Sequence, residues 1–156
     1  MPQAVPGKAV PAFSAEATGD RKVTHQDLKN HKTVLYFYPK DNTPGCTQEG
    51  QDFRDNYKKF AKLGAQIFGV SRDSLKSHEN FKAKFEFPFE LISDPDEKLC
   101  GIFDVVKMKN MYGRQVRGIE RSTFLIDGKG VLRREWRKVK VADHVGEVLQ
   151  AVKELD

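Results

Sequence analysis

The residue best placed to do chemistry in this chain is Cys46, because of the run in which it lies, Thr43-Pro44-Gly45-Cys46. Thr43 is a good helix N-cap, and Pro44 is preset for the first helical position. Gly45 and Cys46 then fall in the first turn, where backbone N–H groups have no intrahelical partner and the helix dipole places partial positive charge. A thiol in that position gives up its proton more readily than a free one, because those donors stabilise the thiolate. Thr43 and Cys46 also stand at capping-box spacing, with a cysteine where Glu or Gln would reach back. The run marks Cys46 as a reactive thiolate held between a hydroxyl and a helix N-terminus. A free cysteine also packs well as a small buried hydrophobe, and that alternative stays open on these residues alone.

The elements that must position Cys46 are legible on either side of it. Val34-Leu-Tyr-Phe-Tyr38 is an unbroken apolar run, as expected of a strand buried on both faces, and Pro39 ends it because proline has no N–H to give to a ladder. After Cys46, the residues Phe53, Tyr57, Phe60 and Leu63 recur at helical spacing, and Gly64 suits the position just past a helix end. The reading along the rest of the chain runs as follows. Residues 1–12 are an extended entry held open by prolines. A short edge hairpin follows, with its turn at Gly19-Asp20, then a helical turn over Asp27 to Asn30. Ala65 to Val70 is a second buried strand, Ser74 to Glu86 a helix, Phe89 to Ile92 a short strand, and Asp96 to Phe103 a short helix carrying Cys100. Val105 to Gly118 reads as a loop, with Met108, Met111 and Tyr112 bordering the reactive site. Ser122 to Ile126 and Val131 to Trp136 make a hairpin about Asp127-Gly-Lys-Gly130, and Ala142 to Leu155 is a closing amphipathic helix. This is an α/β layout with a mixed sheet flanked by helices, in one domain over residues 1–156.

The spacing Pro39-x-x-x-Thr43-x-x-Cys46 resembles the active-site signature of the peroxiredoxins. The string Tyr36-Phe-Tyr-Pro-Lys-Asp-Asn-Thr-Pro-Gly-Cys-Thr-Gln-Glu-Gly50 is similar to the subgroup called peroxiredoxin Q, or bacterioferritin comigratory protein. The resemblance extends to Gly69-Val-Ser-Arg-Asp73, Ser77-His78, Ile92-Ser-Asp94, Asn110-Met-Tyr-Gly113 and Glu120-Arg-Ser-Thr-Phe124, and so covers nearly the whole chain. It implies a thioredoxin-like fold and a peroxidase in which a thiolate attacks a peroxide oxygen and becomes a sulfenic acid. Cys46 would supply the sulfur. The N–H groups of Gly45 and Cys46 and the Thr43 hydroxyl would donate to the peroxide, and Pro39 would shield the sulfur. Arg121, on the segment that resembles the family's arginine-bearing strand, would add a fixed positive charge. Glu49, one turn after Cys46, would orient Arg121 or simply sit as a favourable acid near a helix N-terminus. Arg121 paired only with Glu120 or Glu49 is the plain structural alternative.

Here the chain departs from its relatives. Many carry a resolving cysteine five residues after the first, where this chain has Gln51, and others carry one where it has Lys82. Cys100 is the only other thiol, read as a buried structural cysteine or as a resolver. A one-cysteine cycle is therefore expected, with thioredoxin, glutaredoxin or glutathione as the outside thiol. Sulfur does all the redox work, so no metal, haem or flavin is expected, and the subgroup implies a monomer.

Composition excludes several classes. At 156 residues with 38% hydrophobic and 31% charged side chains, the chain has the make-up of a single globular domain. Its 27 basic residues exceed its 22 acidic ones to give +5, but they are scattered, and no nucleic-acid partner is expected. No apolar run is long enough to span a membrane, and residues 1–10 lack the apolar core of a signal peptide, so a cytoplasmic location is the default. Two cysteines and four histidines at wide spacing form no disulfide framework and no zinc site. A cysteine hydrolase finds no histidine signature here, and a dithiol oxidoreductase would need a cysteine at position 49. The remaining alternatives are a peroxide sensor and a redox-binding module on a thioredoxin-like fold.

Overall fold

Strand periodicity and helix caps set the architecture. In a computed structural model, which describes residues 2–155, the chain opens with strands β1 (Ser14–Ala17) and β2 (Arg21–Thr24), paired as an antiparallel hairpin. A 3-10 turn, His25–Leu28, follows, closed by a capping box between Thr24 and Asp27 and beginning two residues before the expected helical turn. Next come β3 (Lys32–Phe37), helices α1 (Pro44–Asp55) and α2 (Tyr57–Lys62), β4 (Ala65–Ser71), α3 (Leu75–Phe85), β5 (Glu90–Ser93) and α4 (Lys98–Ile102). The chain ends with β6 (Val106–Met111), β7 (Arg114–Ile119), β8 (Ser122–Ile126), β9 (Leu132–Trp136) and α5 (His144–Glu154).

The main sheet runs β2-β1-β5-β4-β3-β8-β9. Its centre, β3, β4 and β5, is parallel, and β8 adds antiparallel to β3 with Tyr36 opposite Thr123. Side chains alternate across the sheet, so each central strand feeds two cores. Val34, Tyr36, Ile67, Leu91 and Leu125 point to one face and meet Phe53 of α1, Phe60 of α2, Phe81 of α3 and Val148 of α5. Leu35, Phe37, Val70, Ile92 and Phe124 point to the other, under Leu99, Cys100 and Phe103 and the N-terminal Val10 and Phe13. Burying each such side chain contributes about 1.5–3 kcal/mol. The layout is the expected mixed sheet flanked by helices.

Two expectations need correction. The single helix expected to run from Thr43 to Gly64 is two helices, divided at Asn56, whose backbone leaves the helical region (φ −106°, ψ 4°) and whose side-chain amide donates to the Asp52 carbonyl at 2.8 Å. The aromatic stripe survives the break: Phe53 and Phe60 are both fully buried, and Gly64 ends α2 with positive φ as read. The segment expected as a loop from Val105 to Gly118 is mostly the β6–β7 hairpin. Its turn is Tyr112-Gly113, both at positive φ (52° and 77°), the geometry of a two-residue hairpin turn. The strands were hidden because they carry lysines and arginines where a half-buried strand would alternate. Arg117 of β7 binds Glu97 at the start of α4, and Arg72 reaches the same carboxylate at 3.0 Å, which ties the hairpin to the body of the molecule. Met108, Met111 and Tyr112 lie exposed along it. Among the described residues no helix is long and apolar enough to cross a membrane.

Candidate active site

β3 delivers the chain to its C-terminal end through Tyr38 and the half-buried Pro39, and a short turn, Lys40 to Asn42, feeds α1. Thr43 sits at the N-cap with extended backbone (φ −100°, ψ 156°), and Pro44 opens the helix, both as read. The side chain does something other than expected. It makes no cap hydrogen bond to the helix, and its hydroxyl donates to the Lys40 carbonyl at 2.8 Å. The first-turn N–H groups of Gly45 and Cys46 are thus not capped by Thr43.

Cys46 is 2% exposed, so a reagent reaches its sulfur only through a narrow opening. Arg121 Nη2 donates to Cys46 Sγ at 3.4 Å, and Arg121 Nη1 donates to Glu49 Oε1 at 2.7 Å. The two readings of Arg121, ion-pair partner and neighbour of the sulfur, therefore hold together: one guanidinium spans both groups, and Glu120 is not its partner. Arg121 is the second residue of the two-residue link between β7 and β8, and the pairing of β8 with β3 brings it over the start of α1. Gly45 leaves the space it needs, since a Cβ there would stand 3.2 Å from Arg121 Nη2.

Glu49 is fully buried, and its second oxygen, Oε2, has no hydrogen-bond partner. Burial pushes its carboxyl up to about 7, although the Arg121 charge and hydrogen bond pull the other way. Burial also works against the charge of Arg121, but Glu49 and Cys46 outweigh it and lift the guanidinium above its ordinary value. The β6–β7 hairpin adds a residue that sequence reasoning missed. Lys109 is half-buried, and burial together with the Arg121 charge lowers its ammonium below the usual lysine range.

Cys100 lies in the core on the opposite face of the sheet from Cys46 and is completely buried. Burial and the nearby Asp94 push its thiol well above the usual range. The sheet itself stands between the two sulfurs. Lys82 is on α3 in an ion pair with Glu90, and Gln51 is half-buried on α1.

Among the described residues, one cluster has metal-ligand residue types: Asp41, Asp73 and His78, whose ligand atoms lie within 4.8 Å of one another. Each is already engaged within the protein. Asp41 Oδ2 meets His78 Nδ1 at 2.7 Å, His78 Nε2 meets the Ile92 carbonyl at 2.9 Å, and Asp73 Oδ2 accepts the Asp41 N–H at 2.9 Å. Both ring nitrogens of the histidine face partners within the protein, so the cluster is a closed hydrogen-bond network.

A thioredoxin-like sheet that presents a helix-start cysteine beside a half-buried arginine defines a thiol peroxidase. The chain belongs to the AhpC/TSA family, whose model matches residues 6–135. It is 57% identical over 136 residues to Peroxiredoxin Bcp of Xanthomonas campestris, covering 87% of this chain and 85% of that protein. It is 50% identical over 149 residues to Peroxiredoxin Bcp of Bacillus subtilis, covering 96% and 95%. Among solved structures, Xanthomonas campestris Peroxiredoxin Q superposes with a TM-score of 0.89 at 52% identity, over 97% of this chain and 96% of that one. Another, at 51% identity over the same shares and with the same TM-score, concerns the alkyl peroxide reduction activity of the bacterioferritin comigratory protein of that organism. The chain is accordingly a peroxiredoxin and a peroxidase.

Proposed function

We propose that Cys46 is the peroxidatic cysteine and that the cycle is a one-cysteine cycle completed by an outside thiol. The Cys46 thiolate attacks the terminal oxygen of a hydroperoxide. The S–O bond forms as the O–O bond breaks, sulfur is oxidised to sulfenic acid, and the alkoxide or hydroxide leaves and takes a proton. The observation that carries this reading is the single Arg121 guanidinium within reach of both Cys46 Sγ and Glu49. Its fixed charge steadies the thiolate and then the charge spreading over the O–O bond. The N–H groups of Gly45 and Cys46 add donors, the Thr43 hydroxyl adds one only on turning away from the Lys40 carbonyl, Pro39 covers the sulfur, and Glu49 holds Arg121 in place. Hydrogen peroxide and alkyl hydroperoxides are the substrate class, the latter in line with the activity described for the Xanthomonas campestris protein.

The sulfenic acid is then reduced from outside. Position 51 is Gln, position 82 is Lys, and Cys100 is separated from Cys46 by the sheet, whereas a disulfide needs its two Cα atoms within about 7 Å. Thioredoxin, glutaredoxin or glutathione would supply the attacking thiol. The cytoplasm, where such thiols are kept reduced, is the compartment this cycle fits, with the protein acting as a monomer and without a metal, haem or flavin.

The test is intact mass after one equivalent of hydrogen peroxide with a dimedone-type trap. One adduct on Cys46, none in Cys46→Ser, and Cys100 still free are the expected results. Loss of two hydrogens without an adduct would make Cys100 the resolver. No change at all would remove the assignment of Cys46.

A further inference from the structure

We propose that the buried Asp41–His78 pair is a positioning device: it fixes the turn from Pro39 to Thr43, and through it the start of α1, in the geometry peroxide reduction needs. The inference rests on the reading of Cys46 given above. His78 is completely buried on α3, and both of its ring nitrogens face acceptors, the Asp41 carboxylate at 2.7 Å and the Ile92 carbonyl of β5 at 2.9 Å. The short contact to Asp41 requires a proton on one partner. Asp41 already accepts from Tyr38 Oη at 2.6 Å and from Ser77 Oγ at 2.7 Å, as an ionised carboxylate does. The ring therefore donates to Asp41 from Nδ1, inside the protein.

Taking such a pair out of water is costly unless every partner is satisfied, and here each one is. What the pair holds is the turn. Asp41 is its second residue after Pro39, and its own N–H is bound to Asp73 Oδ2, which Ser71 Oγ also reaches. The next residue, Asn42, has φ +59°, the left-handed region that asparagine tolerates better than most L residues, and so turns the chain toward the helix. Thr43 follows, with its hydroxyl on the Lys40 carbonyl, and Cys46 lies one turn into the helix. Tyr38 just past β3, Asp73 just past β4, and Ser77 and His78 of α3 thus all hold the turn through Asp41, with β5 behind His78. The contact between Asp41 and His78 closes the grip.

The test compares two reactions of the same sulfur. Oxidation by hydrogen peroxide needs the turn's donors in place, while alkylation by iodoacetamide needs only an accessible thiolate. In His78→Asn and in Asp41→Asn, the peroxide rate constant is expected to fall roughly 10- to 100-fold while alkylation falls by less than about threefold. The double variant should be no slower than the slower single, because both substitutions break one link. Val152→Ala, a buried change in α5 on the same side of the sheet, controls for general destabilisation and should leave the ratio of the two rates unchanged. An unchanged ratio in the single variants, or losses that add in the double, would overturn the proposal. Should the variants not fold, the wild-type protein still decides: 15N NMR must find a hydrogen-bonded proton on His78 Nδ1, and an Nδ1 without one overturns the argument. If wild-type Cys46 itself ignores peroxide, the functional reading fails first. A reactive wild type with variants of unchanged ratio sinks only the positioning role.

Discussion

Glu49 holds one nitrogen of Arg121 at 2.7 Å in a site with no exposure to solvent, and its carboxyl is held near 7 because burial outweighs the pairing. Below that pH the acid is neutral, and the Arg121 charge is left to the Cys46 sulfur. Above it Glu49 ionises and shares the charge, beside a thiolate that it repels. The rate of Cys46 oxidation per thiolate should then contain a limb that falls as pH rises through about 7. Glu49→Gln keeps an oxygen for Arg121 but cannot ionise, so the limb should vanish from its stopped-flow pH profile. A limb that persists would belong to a different group.

Between elements, the tightest approach near the site is α1 against the strand-entry segment before β5. Gly50 lies one turn beyond Cys46, and a Cβ on it would come within 2.5 Å of the Phe87 ring. That ring has little room to move: it stacks on Phe89 at 5.2 Å between centroids and meets Phe81 edge-on at 5.0 Å. Replacing a helical glycine by alanine ordinarily stabilises by about 1 kcal/mol. Here overpacking of about 1–3 kcal/mol opposes it, and Gly50→Ala should lower Tm by about 2–4 °C in a calorimetric scan. A rise in Tm would mean that Phe87 yields without strain. The reading of the chain already found α1, because its cap, proline and aromatic stripe are local signals. It missed the break at Asn56 and the β6–β7 hairpin, where a side-chain cap on Asp52 and ties to Glu97 override a pattern that reads otherwise.

Across the whole molecule, two buried groups make opposite contributions to stability in overlapping pH windows. Glu49 is raised from 4.5 to about 7, so the native state binds a proton more readily than the unfolded chain, and stability is lost as pH rises through that interval. His144, which contacts the Thr123 hydroxyl at 2.8 Å, is lowered from 6.5 to about 4 by burial and by the charge of Arg121. Its contribution is present above 6.5 and is lost as pH falls toward 4. Each is of order 3 kcal/mol, and between about pH 4.5 and 6.5 they offset one another. Urea midpoints of the wild type should therefore be nearly flat over that interval. His144→Asn should unmask a stability that declines as pH rises, and a flat profile in that variant would mean that Glu49 does not titrate there.

Local and periodic signals in the sequence determined the strand ending at Pro39, the helix beginning at Thr43, the two-faced sheet and the place of Cys46, since caps, prolines and alternation act within a few residues of themselves. The sequence also determined that neither usual resolving position carries a thiol. Only the tertiary structure decided that Arg121, 75 residues from Cys46 along the chain, spans its sulfur and Glu49. It alone placed Cys100 behind the sheet, left Glu49 without solvent, and set both nitrogens of His78 against acceptors. These are matters of burial and of contacts between distant segments. Charge and protonation follow from what surrounds a side chain once the chain has closed upon itself, and no spacing within the sequence carries that information.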